Sequence, residues 1–118
     1  MRVTVINLGM RSIHGENIYG LQLDGESRCV HWHGQLDIIA IKFKCCQLWF
    51  PCFECHVAVA DHEAKAWPIN ERDEKAVLCG KCGYQLGIAE YFACDSTCPK
   101  CGSGFNPGCA NHHHLYFE

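Results

Sequence analysis

The apolar positions of this chain fall in short runs broken by turn residues, and most of them alternate with period two. Residues 1–8, MRVTVINL, alternate as a strand does, and residues 18–23 alternate again before the turn signal Asp24-Gly25. The two runs predict a pair of short strands, a candidate hairpin, with His14 in a solvated loop between them. Residues 37–43, DIIAIKF, make the strongest strand, β-branched and bounded by Gly34 and Cys45-Cys46. Leu48-Trp49-Phe50-Pro51 is an aromatic run that ends at a proline, so strand pairing stops there. Residues 56–62 hold a short apolar run between two histidines, which a helical turn or a loop would bring together. Residues 63–76 are polar and charged and read as a solvated linker anchored by Trp67-Pro68. Residues 86–92 carry Leu86, Ala89 and Phe92 at helical spacing, and Asn106-Pro107-Gly108 signals a turn before a closing aromatic patch. The chain thus divides into N-terminal strands at 1–23, a first module at 24–76 and a second at 77–118.

Such short elements bury little, and 118 residues make a single-domain length. A chain of this kind leans on added constraints, and its 11 cysteines and 8 histidines supply them. An odd cysteine number, CxxC and CxH spacings, and His placed beside Cys favour metal over a disulfide framework. The first twelve residues lack the apolar h-region and cleavage site of a signal peptide. No stretch approaches the ~18 apolar residues of a membrane span. The formal charge is −3, and three zinc ions on nine thiolates would bring it to about −6. Lysines and arginines are scattered, with only Lys42 and Lys44 close together, so nucleic acid is not expected as a partner.

The ligand pattern is dense. Cys79-x2-Cys82 and Cys98-x2-Cys101 stand at four-Cys zinc spacing, each followed by a glycine, Gly83 and Gly102, that tolerates the left-handed turn of a knuckle. Upstream lie Cys29, His31, Cys45, Cys46, Cys52, Cys55, His56 and His62. Cys55 and His56 are adjacent, and in an extended segment adjacent side chains diverge, so they serve different ions. Cys52 and Cys55 then pair with Cys29 and His31, leaving Cys45 and Cys46 with His56 and His62. Four-ligand sites closed in this way hold structure and leave no open position for catalysis. Asp37 and Glu54 are the nearest carboxylates, expected to orient ligand histidines. The three tryptophans read as shell and core.

Cys29-x-His31, Cys45-Cys46, Cys52-x2-Cys55-His56 and His62, followed by the paired CxxC, resemble a CHY-type zinc finger. SRCVHWH, DIIAIKFKCC, CFECH, CPKCGSGFNPGC and the HLYFE end bring it closest to stand-alone CHY proteins related to the helper of small Tim proteins and to uncharacterised bacterial relatives. The resemblance covers residues 24–118. It implies a small, zinc-stabilised, loop-rich α+β fold: a CHY zinc finger with short β-hairpins and a C-terminal four-Cys zinc-ribbon-like module. It also implies the same division of ligands and, through Cys109, His112, His114 and His33, a conceivable fourth metal site. The simpler reading makes residues 105–118 a cap in which Phe105, Tyr116 and Phe117 cover the ribbon, with Cys94 an incidental thiol. No RING ligands follow, so ubiquitin transfer is not carried over.

The expectation is therefore a monomeric zinc protein with three ions, no catalytic constellation, no membrane and an unidentified protein partner. The alternative is a zinc-handling or thiol-redox helper in small Tim assembly. Its compartment is intracellular: the cytoplasm if bacterial, alternatively the mitochondrial intermembrane space.

Overall fold

The computed structural model describes residues 10–118, so the strand expected over residues 1–8 lies outside the described residues. Six short strands make one mixed sheet: β1 Met10–Ile13, β2 Glu16–Tyr19, β3 Ile39–Lys42, β4 Trp49–Phe50, β5 Lys75–Cys79 and β6 Gln85–Gly87. The spatial order is β1-β2-β4-β3-β5-β6. All neighbours are antiparallel except β2 and β4, which meet in parallel at Ile18 and Trp49. Three short helices, α1 Phe53–Val59, α2 Ile88–Ala93 and α3 His113–Tyr116, pack around it. The molecule is a small domain with a curled sheet and few helices.

Residues 39–41 of β3 and 76–79 of β5 are apolar and buried because both faces of the sheet are covered there, and the charged positions, Lys42 and Lys75, fall at the strand ends. Ile39, Ile41, Val77 and Cys79 point into the main core, with Phe43, Phe50, Leu86 and Phe105. Ala40 and Leu78 point the other way, into a smaller cluster with Ile13, Ile18 and Trp49. Strand alternation sends consecutive side chains to opposite faces, so a strand buried on both sides shows no polar positions.

Several elements differ from their sequence expectation. The hairpin turns at His14-Gly15, and its second strand stops at Tyr19, four residues earlier than the apolar alternation does. Helix α1 starts at Phe53, inside the CxxC, because the Cys52 sulfur caps it by accepting the Cys55 N–H at 3.3 Å. Leu86 lies in β6, and the helix begins only at Ile88. The stretch 63–76 is more than a linker: Lys75 and Ala76 already belong to β5, and Ala76 is buried. Trp67 is buried too, donating its indole N–H to the Lys42 carbonyl at 2.7 Å.

The C-terminal segment caps the first module as well as the second. Tyr116 accepts the Phe53 N–H at 2.9 Å and lies edge-on to Phe43. Phe117 bridges to Trp67. Phe105 stays with the second knuckle, where its N–H reaches the Ser96 carbonyl, and Phe117 also meets Tyr91 and Phe92 of α2.

Candidate metal centres

Among the described residues, three groups of side chains have their ligand atoms all within 4.8 Å of one another. They are Cys29, His31, Cys52 and Cys55; Cys45, Cys46, His56 and His62; and Cys79, Cys82, Cys98 and Cys101. These are the twelve residues singled out by spacing, brought together in the expected fours.

The first group draws on two distant pieces of chain. The Cys29 N–H bonds to the Trp32 carbonyl, folding His31 back beside Cys29. The α1 cap and first turn supply Cys52 and Cys55. Cys29 Sγ is 3.6 Å from Cys52 Sγ, and His31 Nδ1 is 3.4 Å from both Cys52 and Cys55 Sγ. A tetrahedral zinc ion spaces two sulfurs by about 3.8 Å, and sulfur and nitrogen by about 3.6 Å, so the donors fit it. The second group closes across the β3–β4 turn. Cys45 and Cys46 Sγ are 3.9 Å apart, and His56 Nε2 is 3.3 Å from Cys45 Sγ. His62 Nε2 is buried and has no hydrogen-bond partner. A buried nitrogen left unpaired in this way is costly unless something ligates it, and a metal ion would do so. In the third group Cys79 and Cys101 Sγ stand 3.9 Å apart, Cys82 and Cys98 Sγ 3.7 Å. Gly83 and Gly102 adopt φ of 85° and 78°, and their N–H groups bond to the Cys79 and Cys98 carbonyls. Backbone N–H groups are aimed at the sulfurs as well, among them that of Cys101, on Cys98 Sγ at 3.5 Å.

Electrostatics points the same way. Hydrogen bonds from Cys52 and Cys55 draw the Cys29 thiol pKa down to about 2. Donating to Cys29 holds the Cys52 thiol far up and takes Cys55 up to about 12. Burial pushes Cys46 up to about 11 and raises Cys79 as well. Hydrogen bonds from Ser103 bring Cys101 down to about 6. Within the first group, then, one thiol ionises readily and its neighbours resist. A divalent cation supplies the charge that lets the rest ionise, releasing protons as it binds. Burial, with the nearby His62 charge adding to it, holds His56 down to about 4, so its imidazole is the neutral, ligating form. Phe43 stacks on that ring at 4.3 Å and Phe50 meets it edge-on, excluding water.

Two expectations change. Cys55 and His56 diverge because both lie on α1, where neighbours are rotated by about 100°, not because the segment is extended. Asp37 and Glu54 touch no ligand histidine: Asp37 accepts from the Gly34 N–H and Asn106 Nδ2. The carboxylate that orients a ligand is Asp61, 3.3 Å from His62 Nδ1. A proton held there leaves the Nε2 lone pair toward Cys45 and Cys46.

Residues 10–23, to which no site role attached, support two of the centres. The Leu21 N–H points at Cys55 Sγ from 3.4 Å. A Cβ at Gly20 would sit 3.0 Å from the same sulfur, and a glycine within an alternating run is the one sequence sign of so close an approach. His14 is no free loop residue: its Nε2 lies 2.9 Å from the Gly80 carbonyl, inside the Cys79–Cys82 knuckle. No fourth cluster forms among the described residues: His112 lies edge-on to Trp32, and His33 and His114 are exposed. The Cys109 side chain lies outside what the structure describes. Cys94 closes α2 away from the three groups.

The family model described as CHY zinc finger matches residues 29–107. The chain is 44% identical over 104 residues to Helper of Tim protein 13 of Saccharomyces cerevisiae, covering 86% of this chain and 90% of that protein. It is 46% identical over 101 residues to the protein of the same name from Kluyveromyces lactis, covering 85% and 87%. An uncharacterised protein of Schizosaccharomyces pombe is 35% identical over 102 residues, covering 86% and 89%. No solved structure matches the chain.

Proposed function

The chain belongs to the CHY zinc finger family, and from that premise we propose that it is a three-zinc, non-catalytic interaction module that assists assembly of small Tim proteins. Its compartment in this reading is the mitochondrial intermembrane space. The observation that carries it is the closure of the three groups: in each, four protein donors leave no coordination position for water or substrate. The relatives named Helper of Tim protein 13 support the partner, since the match spans nearly the whole length of both.

The test joins native mass spectrometry to a binding assay with purified small Tim proteins. Three zinc ions per chain and binding that disappears with the metal are expected. Two or fewer ions, or binding indifferent to metal, would overturn the reading. A second reading, zinc handling or thiol exchange, is favoured by Cys101, whose sulfur lies on an exposed residue. Zinc that leaves while the fold persists, followed by disulfide formation, would select it.

A further inference from the structure

A cavity of about 190 Å³ opens between the first metal centre and the C-terminal segment. Its floor is Ile39 and Ile41 of β3, and its walls include Trp32, Phe53 and Leu115. Trp32, Phe53 and Leu115 are half-buried, so the space communicates with solvent. A pocket of ~150 Å³ with apolar walls takes a benzene ring, so this one has room for a single aromatic or large aliphatic side chain.

No lysine or arginine borders it; two carboxylates line it, with His112 and His113. Glu54 and Asp37 both border it. Asp37 accepts only neutral donors, and Glu54 makes no ion pair among the described residues. Other carboxylates do find cations: Asp24 and Glu26 pair with Arg28, and Glu71 with Lys44. The cavity therefore joins an apolar seat to uncompensated negative charge, on a chain that is negative overall.

We propose that this cavity is the docking site for a partner polypeptide, which inserts one aromatic or large aliphatic side chain and sets a lysine or arginine against Glu54. The proposal rests on the reading of the chain as an interaction module. Charge complementarity selects the occupant: an anionic or purely apolar segment would leave both carboxylates facing it unpaired.

The probes are the capped dipeptides acetyl-Phe-Lys-amide, acetyl-Phe-Glu-amide and acetyl-Ala-Lys-amide, titrated into the zinc-loaded full chain. NMR follows the Trp32 indole and the Ile39 and Ile41 methyl groups. Saturable shifts are expected with Phe-Lys, binding about fivefold weaker with Phe-Glu as for one exposed ion pair, and no shifts with Ala-Lys. Glu54→Gln should remove the preference between the two Phe peptides. Leu115→Trp should fill the cavity and abolish the shifts with the zinc number unchanged. Equal binding of Phe-Lys and Phe-Glu, or no saturation on fully loaded protein, would overturn the proposal. So would shifts that appear without peptide on raising protein concentration, which would make a second copy the occupant. Zinc is counted on the same samples, so a failed pocket on a three-zinc protein is distinguishable from failure of the zinc-module reading.

Discussion

At the scale of the residue, the molecule turns on the step from Cys55 to His56. Both are buried on α1, and they belong to different metal groups. One helix turn therefore couples two centres, and loss of either side chain loosens the register of the other. Cys101 is the opposite case, an exposed ligand with no shared element behind it. Cys55→Ser should accordingly cost more than one zinc ion and the fold with it, whereas Cys101→Ser should cost one ion and leave the sheet intact. Native mass spectrometry beside circular dichroism checks this, and equal losses in the two variants would refute it. A second expectation concerns pH. His56 is held down to about 4 by burial, against ~6.5 in an unfolded chain. The unfolded state takes up the proton first, so stability is full above about 6.5 and falls as pH drops toward 4. Zinc release should follow the same direction, since protons compete for the imidazoles and thiolates. An acid titration of bound zinc and of the melting temperature reads both.

At the scale of the element, strands were legible wherever β-branched residues lay between turn signals, as in β3. Elements built by other means were not. α1 is only seven residues long and takes its cap from a sulfur, so its first turn looked like a metal knuckle alone. Ala76 is wholly buried, yet it sits in a run of charges where a small residue carries no hydrophobic signal. The ligand groupings were readable because donor type and spacing are local, whereas the cavity was not, since it is assembled from residues as far apart as Trp32 and Leu115. The two knuckle glycines separate local from tertiary effects. Both have positive φ, but a Cβ at Gly83 would lie 2.7 Å from His14 Cβ, while one at Gly102 would meet nothing within 4 Å. Gly102→Ala should cost about 1–2 kcal/mol, the left-handed penalty alone. Gly83→Ala should cost clearly more, as the N-terminal hairpin must move. Denaturant unfolding of the zinc-loaded variants compares them; equal costs would mean His14 yields freely. Trp67→Ala should cost about 3–5 kcal/mol by the same measurement, because it empties a buried site and orphans the Lys42 carbonyl.

At the scale of the whole molecule, the sheet and the metal centres carry different parts of the load. The β3–β5 pairing carries chain from the first metal groups directly alongside chain leading into the third, so the centres hang from one sheet. The second group lies under Phe43 and Phe50, and the first is tied to the same core through α1. The third rests at the sheet's far side, on two knuckles joined through Cys79 and Cys98, with Cys101 open to solvent. A chelator attacks by offering a new ligand to a bound ion, which requires one protein ligand to be reachable. His31 is exposed in the first group, but three buried sulfurs stand behind it; the third group has exposed Cys101 and half-buried Cys82. Under a moderate chelator, the third ion should leave first, with the far-ultraviolet spectrum largely preserved. The other two should leave together, in one cooperative step that melts the sheet, since removing one unlocks α1 beneath the other. A time course of native mass spectra alongside circular dichroism resolves the order. Three independent, evenly spaced losses, or melting with the first ion lost, would mean that α1 does not couple the two centres it spans.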